Sequence, residues 1–348
     1  MLKHHIRPDL FTRELIEHIL AAYGLSDGAG LTIQPMPQGF GMALVRLRHG
    51  DFDLVVKQLN PDLAPERIRF ALRLQSRLHE AGVPCPRLRP AASGEYLITL
   101  ANHQFCLQDW CGGDHIDVDA IATEERRHYR RQLGTLLGQV HGAATSELID
   151  QAPPSCRRPP HFLFTHLPAV EAGLPWSRGG SLARNLWLRW HETGDFGRDL
   201  RRALPLLREV RRRLASSSAA ADPSLADVLP VHGDFHFENV LFDGGRVSGL
   251  IDFDNATVAP RAYDLGSAMA VICQEREHED DFLAAYTDGG GGPLPAHNLL
   301  RTCVLLRLFT SLSFQMVAYT RRQTRSPEKS RWWIRRLIQL LTSEVESA

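Results

Sequence analysis

Val231-His232-Gly233-Asp234-Phe235-His236-Phe237-Glu238-Asn239-Val240-Leu241-Phe242 sets a carboxylate and a carboxamide five residues apart, between an apolar entry and an apolar exit. Such a loop projects both groups to one side of the chain. After the turn Asp243-Gly244-Gly245, the apolar strand Val247–Ile251 delivers a second carboxylate, Asp252, in Ile251-Asp252-Phe253-Asp254. A β-hairpin is expected to hold Asp234, Asn239 and Asp252 around one point.

That combination suits phosphoryl transfer, whose transition state spreads charge over the phosphoryl oxygens, so that a protein contributes mainly position and opposite charge. Mg²⁺ prefers hard oxygen ligands and retains waters, so one carboxylate, one amide oxygen and the phosphates of ATP suffice to hold it. Asn239 and Asp252 are the expected metal ligands. A separate carboxylate must face the acceptor hydroxyl and take its proton late in the reaction, which makes Asp234 the expected catalytic base. Taken singly, these residues have ordinary uses, since Asp caps turns and Asn ends strands. As a set they are harder to dismiss: a His-Gly-Asp-x4-Asn match arises by chance in a chain this long roughly once in a thousand. His232 is read as a buried imidazole bonded to the loop backbone, and His236 as a further supporting residue.

Outward from this segment, Thr12–Tyr23 reads as a short amphipathic helix, stopped by Gly24. Ala43–Leu47 and Asp53–Leu59 are β-prone runs joined at His49-Gly50-Asp51, the second carrying Lys57. Glu66–Ala81 is helical, and Tyr96–Leu100 with Phe105–Trp110 makes a second hairpin. From Ala120–Ala144 onward the pattern is mainly helical, apart from the β segment Val228–Asp254, with a flexible break expected at Asp288–Pro293. Gln38-Gly39-Phe40-Gly41 precedes the Lys57 hairpin. Lys57 follows the apolar run Leu54-Val55-Val56 and needs a partner, which phosphate or a helix glutamate could supply.

The chain has 348 residues, 43% of them apolar, enough for one large or two moderate cores. Lys plus Arg and Asp plus Glu both total 40, so no charge excess recruits nucleic acid or a membrane surface. The six cysteines are scattered without C-x-x-C spacing and read as reduced, mostly buried thiols. The first twenty residues carry charges throughout and do not form a secretory signal, and no apolar run approaches a membrane span. A cytoplasmic enzyme with access to ATP is expected.

Three pieces carry a family resemblance: His232 to Asn239, then Ile251-Asp252-Phe253-Asp254-Asn255-Ala256, then Arg261-Ala262-Tyr263-Asp264-Leu265-Gly266. They resemble the aminoglycoside phosphotransferase, choline kinase and homoserine kinase superfamily. The resemblance implies an α+β, protein-kinase-like bilobal fold: an antiparallel-sheet N-lobe over 1–110 for nucleotide, and a mainly helical C-lobe over 111–348 for catalysis and acceptor. It implies Asp234 as base, Asn239 and Asp252 on Mg²⁺, Lys57 on the α and β phosphates of ATP (GTP being the alternative), and Gly39 and Gly41 near those phosphates. Gln108-Asp109-Trp110-Cys111 then falls at the hinge that offers backbone groups to adenine. Asp264 becomes an anchor of the loop, and Asp254 a supporting residue. The chain departs from many relatives where the glutamate paired with the lysine would lie, near Phe70 to Arg73; Glu66 is one turn earlier.

The expected partner is a small hydroxylated molecule, met by a monomer or homodimer. The acidic run Glu275, Glu277, Glu279, Asp280 and Asp281 could attract a cationic acceptor, or could simply be a solvated helix start. The insert Pro153–Arg201 is long enough to shape an acceptor pocket, which tilts the reading towards an antibiotic or natural product. A homoserine-like or choline-like metabolite is the alternative. Asp234-x-His236 also matches the start of a metallophosphatase site, but the later Gly-Asp-x-x-Asp and Gly-Asn-His elements are absent. A non-catalytic nucleotide-binding protein is the remaining rival.

Overall fold

A computed structural model describes residues 10–26, 30–36, 42–50, 52–117, 121–157, 195–217, 223–274, 276–320 and 326–346. The chain divides into two compact units: Met1–Arg157 with Leu229–Val258 and Ala284–Gly292, and Arg158–Val228 with Ala259–Leu283 and Pro293–Ala348.

In the first unit, α1 (Arg13–Ala22) is capped by Thr12, whose hydroxyl accepts from the Leu15 N–H. The antiparallel sheet runs β1 (Thr32–Pro35), β2 (Leu44–His49), β3 (Phe52–Gln58), β6 (His103–Asp109) and β4 (Leu88–Arg89), with β5 (Ile98–Leu100) also paired to β6. Alternation sorts its side chains. Val45, Leu47, Leu54, Val56, Phe105 and Leu107 point to one face and pack with Ile16, Ile19 and Leu20 of α1. The opposite face carries Cys106, which packs with Ile68 and Leu72 of α2 (Pro65–Glu80), and Lys57, which sits opposite Cys106 in the β3–β6 register. The strands β1 and β4 are additional to those expected; both are too short to show an alternating pattern. The β5–β6 turn uses Ala101 and Asn102, both at positive φ, the backbone twist that matches a tight hairpin.

Helix α3 (Thr123–Gly142) follows, then α4 (Ser146–Gln151). The break expected at Asp288–Pro293 falls between the helices Glu279–Asp288 and His297–Thr320, and Gly289 and Gly291 within it are closely packed. A Cβ on Gly138 of α3 would lie 2.2 Å from the Tyr286 carbonyl, and one on Gly289 would lie 2.4 Å from that of Thr135. The glycines allow two backbones to touch, which a pattern of breakers alone cannot reveal. Tyr286 donates its hydroxyl hydrogen to the Gly291 carbonyl (2.6 Å), and His141 Nδ1 donates to the tyrosine oxygen (2.8 Å).

The hairpin that carries the candidate site is β8 (Val240–Asp243) with β9 (Arg246–Leu250), turned by Gly244 and Gly245 at positive φ. Flanking it, β7 (Val228–Val231) pairs with β10 (Thr257–Pro260).

The second unit is helical among its described residues: α5 (Asp195–Ser216), α6 (Arg261–Ile272), α7 (Glu279–Asp288, which runs on into the first unit), α8 (His297–Thr320) and α9 (Pro327–Glu346). Helix α8 packs on α5, α6 and α9. Most of the insert, 158–194, lies outside the described residues, as do Gly39, Gly41 and Glu275. Among the described residues no helix is long and apolar enough to cross a membrane.

Candidate active site

His232 organises the loop. It is fully buried, donates from Nε2 to the Ile251 carbonyl (3.0 Å) and accepts at Nδ1 from the Asp234 N–H (3.3 Å). Those two bonds assign the neutral tautomer with its hydrogen on Nε2. The ring lies between Phe253 (centroids 4.9 Å apart) and Phe235 (6.2 Å). Gly233 has φ +79, and a Cβ there would fall 2.3 Å from the Asn255 carbonyl oxygen. Only glycine lets the loop approach the Asp252 segment this closely.

Asp234 presents a carboxylate that is 24% exposed. Oδ2 lies 3.5 Å from His236 Nε2 and 3.5 Å from the Asn255 amide nitrogen. His236 accepts the Glu238 N–H at Nδ1, capping the short 3-10 turn Phe237–Asn239. Asn239 is buried and donates Nδ2 to the Asp234 carbonyl (2.8 Å), which leaves its Oδ1 as the group able to ligate a cation. The Ile251 N–H bonds the Asn239 carbonyl (2.9 Å), so loop and strand are stitched at the base of the hairpin.

Asp252 adopts the left-handed conformation (φ 66, ψ 66), uncommon for a residue with a side chain. Its carboxylate accepts from Lys57 Nζ at 3.0 Å, and Asp254 accepts from the same ammonium at 2.7 Å. Lys57 is 15% exposed, Asp252 47% and Asp254 24%. Burial alone would depress the lysine pKa, but Asp254 and then Asp252 outweigh it and raise the ammonium above its usual range. The Lys57 charge in turn holds Asp252 below the usual carboxylate range, against its burial. Cys106, across the strand from Lys57, is pushed up to about 12, chiefly by burial.

The structure thus brings Lys57, Asp252 and Asp254 together, and links His232, Asp234, His236 and Asn239 in one hydrogen-bonded loop. Glu66 is exposed in the first turn of α2, and Asp264 is fully buried in α6. In the segment expected to form the hinge every side chain has a partner: Gln108 accepts from Gln75, Asp109 from Arg89, Trp110 lies 3.7 Å under the Arg46 guanidinium, and Cys111 donates to the Ser248 carbonyl. Reasoning from sequence missed Arg46 and Gln75, whose contacts join separate strands and helices. Asn255 has no role assigned from the sequence, although its place directly after Asp252 and Asp254 was the available signal. Of the two readings of the acidic run, the structure has the helix start: Glu279, Asp280 and Asp281 form the first turn of α7, where acids suit the helix dipole, and Glu279 is paired with Arg301.

These donors fit a nucleotide and a hard cation. Among the described residues no group of three or more His, Cys, Asp or Glu could hold a metal. An ion held through Asn239 Oδ1 and Asp252 would therefore complete its shell from phosphate and water, the habit of Mg²⁺. Fold and site together define a kinase acting on a hydroxyl acceptor, with the antiparallel sheet in the N-terminal part and helices in the C-terminal part.

Residues 32–300 match the Phosphotransferase enzyme family, and the chain belongs to it. A homoserine kinase from Pseudomonas aeruginosa is 29% identical over 307 residues, covering 86% of this chain and 79% of that one. A homoserine kinase from Gluconobacter oxydans is 27% identical over 281 residues, covering 79% and 77%. In fold, the chain is similar to a microcompartment-associated aminopropanol kinase (TM-score 0.64, 18% identity, 97% and 98% covered). It is equally similar to a spectinomycin phosphotransferase solved with ADP and spectinomycin (TM-score 0.64, 14% identity, 97% and 99% covered).

Proposed function

We propose that this protein is a cytoplasmic Mg-ATP-dependent O-phosphotransferase whose acceptor is a small amino alcohol of the homoserine type. The single observation that carries the reaction is the paired arrangement of a largely buried ammonium, Lys57, against Asp252 and Asp254, beside a loop in which His232 holds the Asp234 backbone and the Asp234 carbonyl holds Asn239. Lys57 binds the nucleotide phosphates, and Asn239 Oδ1 with Asp252 would hold Mg²⁺, which when bound offsets charge on the phosphoryl oxygens. Asp234 orients the acceptor hydroxyl and takes its proton as the phosphoryl group transfers. Residues 1–110 serve the nucleotide, with Gly39 and Gly41 over the phosphates and Gln108 to Cys111 against the base, and 111–348 serve the acceptor.

The acceptor reading rests on the curated relatives, homoserine kinases that align over most of their length. An antibiotic or natural product, the reading suggested by the length of the insert Pro153–Arg201, is the alternative. The test is ADP release from Mg-ATP with L-homoserine, 1-amino-2-propanol, choline and spectinomycin, with the product identified by mass. Turnover with homoserine or aminopropanol at kcat/KM at least about 100-fold above spectinomycin is expected. The opposite order would restore the antibiotic reading, and nucleotide binding without turnover on any alcohol would favour a binding protein.

A further inference from the structure

A buried lysine that binds phosphate must stay charged and aimed while the nucleotide comes and goes, so it needs a fixed carboxylate. Helix α2, which packs beside Lys57, does not supply one. Its residues Ile68, Ala71, Leu72 and Gln75 line a cavity of about 20 Å³ together with Lys57 and Asp254. Three of those four are apolar. The fourth, Gln75, is committed elsewhere, since its Nε2 donates to the Pro86 carbonyl (2.8 Å) and to Gln108 Oε1 (3.2 Å). The carboxylates on the ammonium come from the other side, at the end of the β8–β9 hairpin: Asp252 at 3.0 Å and Asp254 at 2.7 Å. The 3-10 turn Phe253–Asn255, pinned by buried Phe253, sets both on one lysine. Asp252 is the more exposed of the two and is the proposed cation ligand; Asp254 is the shorter and less exposed contact.

We propose that Asp254 is the positioning residue of Lys57, taking the place of a helix glutamate. Asp252 is drawn to the cation when nucleotide binds, and Asp254 keeps the ammonium aimed at the phosphates. The metal-binding hairpin and the phosphate lysine are thereby coupled directly, and α2 is relieved of an electrostatic role. This rests on the reading of Lys57 as the phosphate-binding residue.

The test compares ADP with adenosine by calorimetry, in EDTA and in Mg²⁺, for the wild type, Lys57→Ala, Asp254→Asn and Asp254→Glu. Adenosine reports an intact base site and fold. In EDTA, Asp254→Asn is expected to lose about tenfold in ADP affinity with adenosine binding unchanged, while Asp254→Glu stays within about threefold of wild type. Should Asp254→Asn fail to bind adenosine, Asp254→Ser carries the same comparison. Unchanged ADP affinity in EDTA would overturn the proposal, as would a loss seen only with Mg²⁺, which marks a metal ligand, or an equal loss in the Glu variant. If Lys57→Ala itself binds ADP as the wild type does, the phosphate-binding reading falls and the proposal with it. That outcome is distinct from failure of the proposal alone, in which Lys57→Ala loses ADP affinity and Asp254→Asn does not.

Discussion

Asp234 and Gly233 divide one small task at the residue scale. Gly233 supplies a backbone conformation and a close approach, 2.3 Å from a would-be Cβ to the Asn255 oxygen, that bring the loop onto the Asp252 segment. Asp234 then holds its carboxylate near His236 and Asn255, on a backbone fixed by His232. Asp234→Asn keeps size and most hydrogen bonding but cannot take a proton. It is expected to lower kcat by about 100-fold or more while leaving the Kd for Mg-ATP within about threefold. Single-turnover kinetics with titration of a non-hydrolysable ATP analogue checks this, and retained turnover would remove Asp234 as the base. Asp234 stood out in the sequence, because its loop partners are near neighbours; the close approach of Gly233 to Asn255 did not, since it joins two separate segments. The partner of Lys57 did not stand out either. Nothing in the run Asp53 to Leu59 indicates that two carboxylates 195 and 197 positions away will meet its ammonium.

At the element scale, the sheet, α1, α2 and the β8–β9 hairpin follow from alternation, helical spacing and turn residues, and their observed bounds lie within a few residues of those expected. The short strands β1 and β4 do not follow, since two to four residues give too little pattern to read. The glycine run after α7 is the instructive case. Local composition marks it as a break, whereas its backbone lies against α3 and is held through Tyr286 and His141. Gly138→Ala places a methyl 2.2 Å from a carbonyl oxygen, which neither helix nor glycine run can yield cheaply. A loss of about 2 kcal/mol or more is expected in urea unfolding, although alanine ordinarily favours a helix interior. A neutral or stabilising result would show that the contact relaxes.

At the scale of the whole molecule, a largely buried charge cluster ties three helical elements of the second unit. Arg301 of α8 pairs with Glu279 at the start of α7 and with Glu344 of α9, all three about one-eighth exposed. Arg301→Ala leaves two carboxylates facing each other with little water, and is expected to cost about 3 kcal/mol in thermal or urea unfolding. A change below about 0.5 kcal/mol would show the cluster to be solvated in practice. The sequence by itself determined the reaction class, because the residues proposed as base and metal ligands and their supporting histidine fall within about twenty contiguous residues that fold around one hairpin. Tertiary structure alone decided what holds Lys57, which glycines lie against another backbone, and that Glu279 is paired with Arg301. Each of these joins residues distant along the chain, and hydrophobic periodicity encodes which face of an element is buried but not which partner it meets.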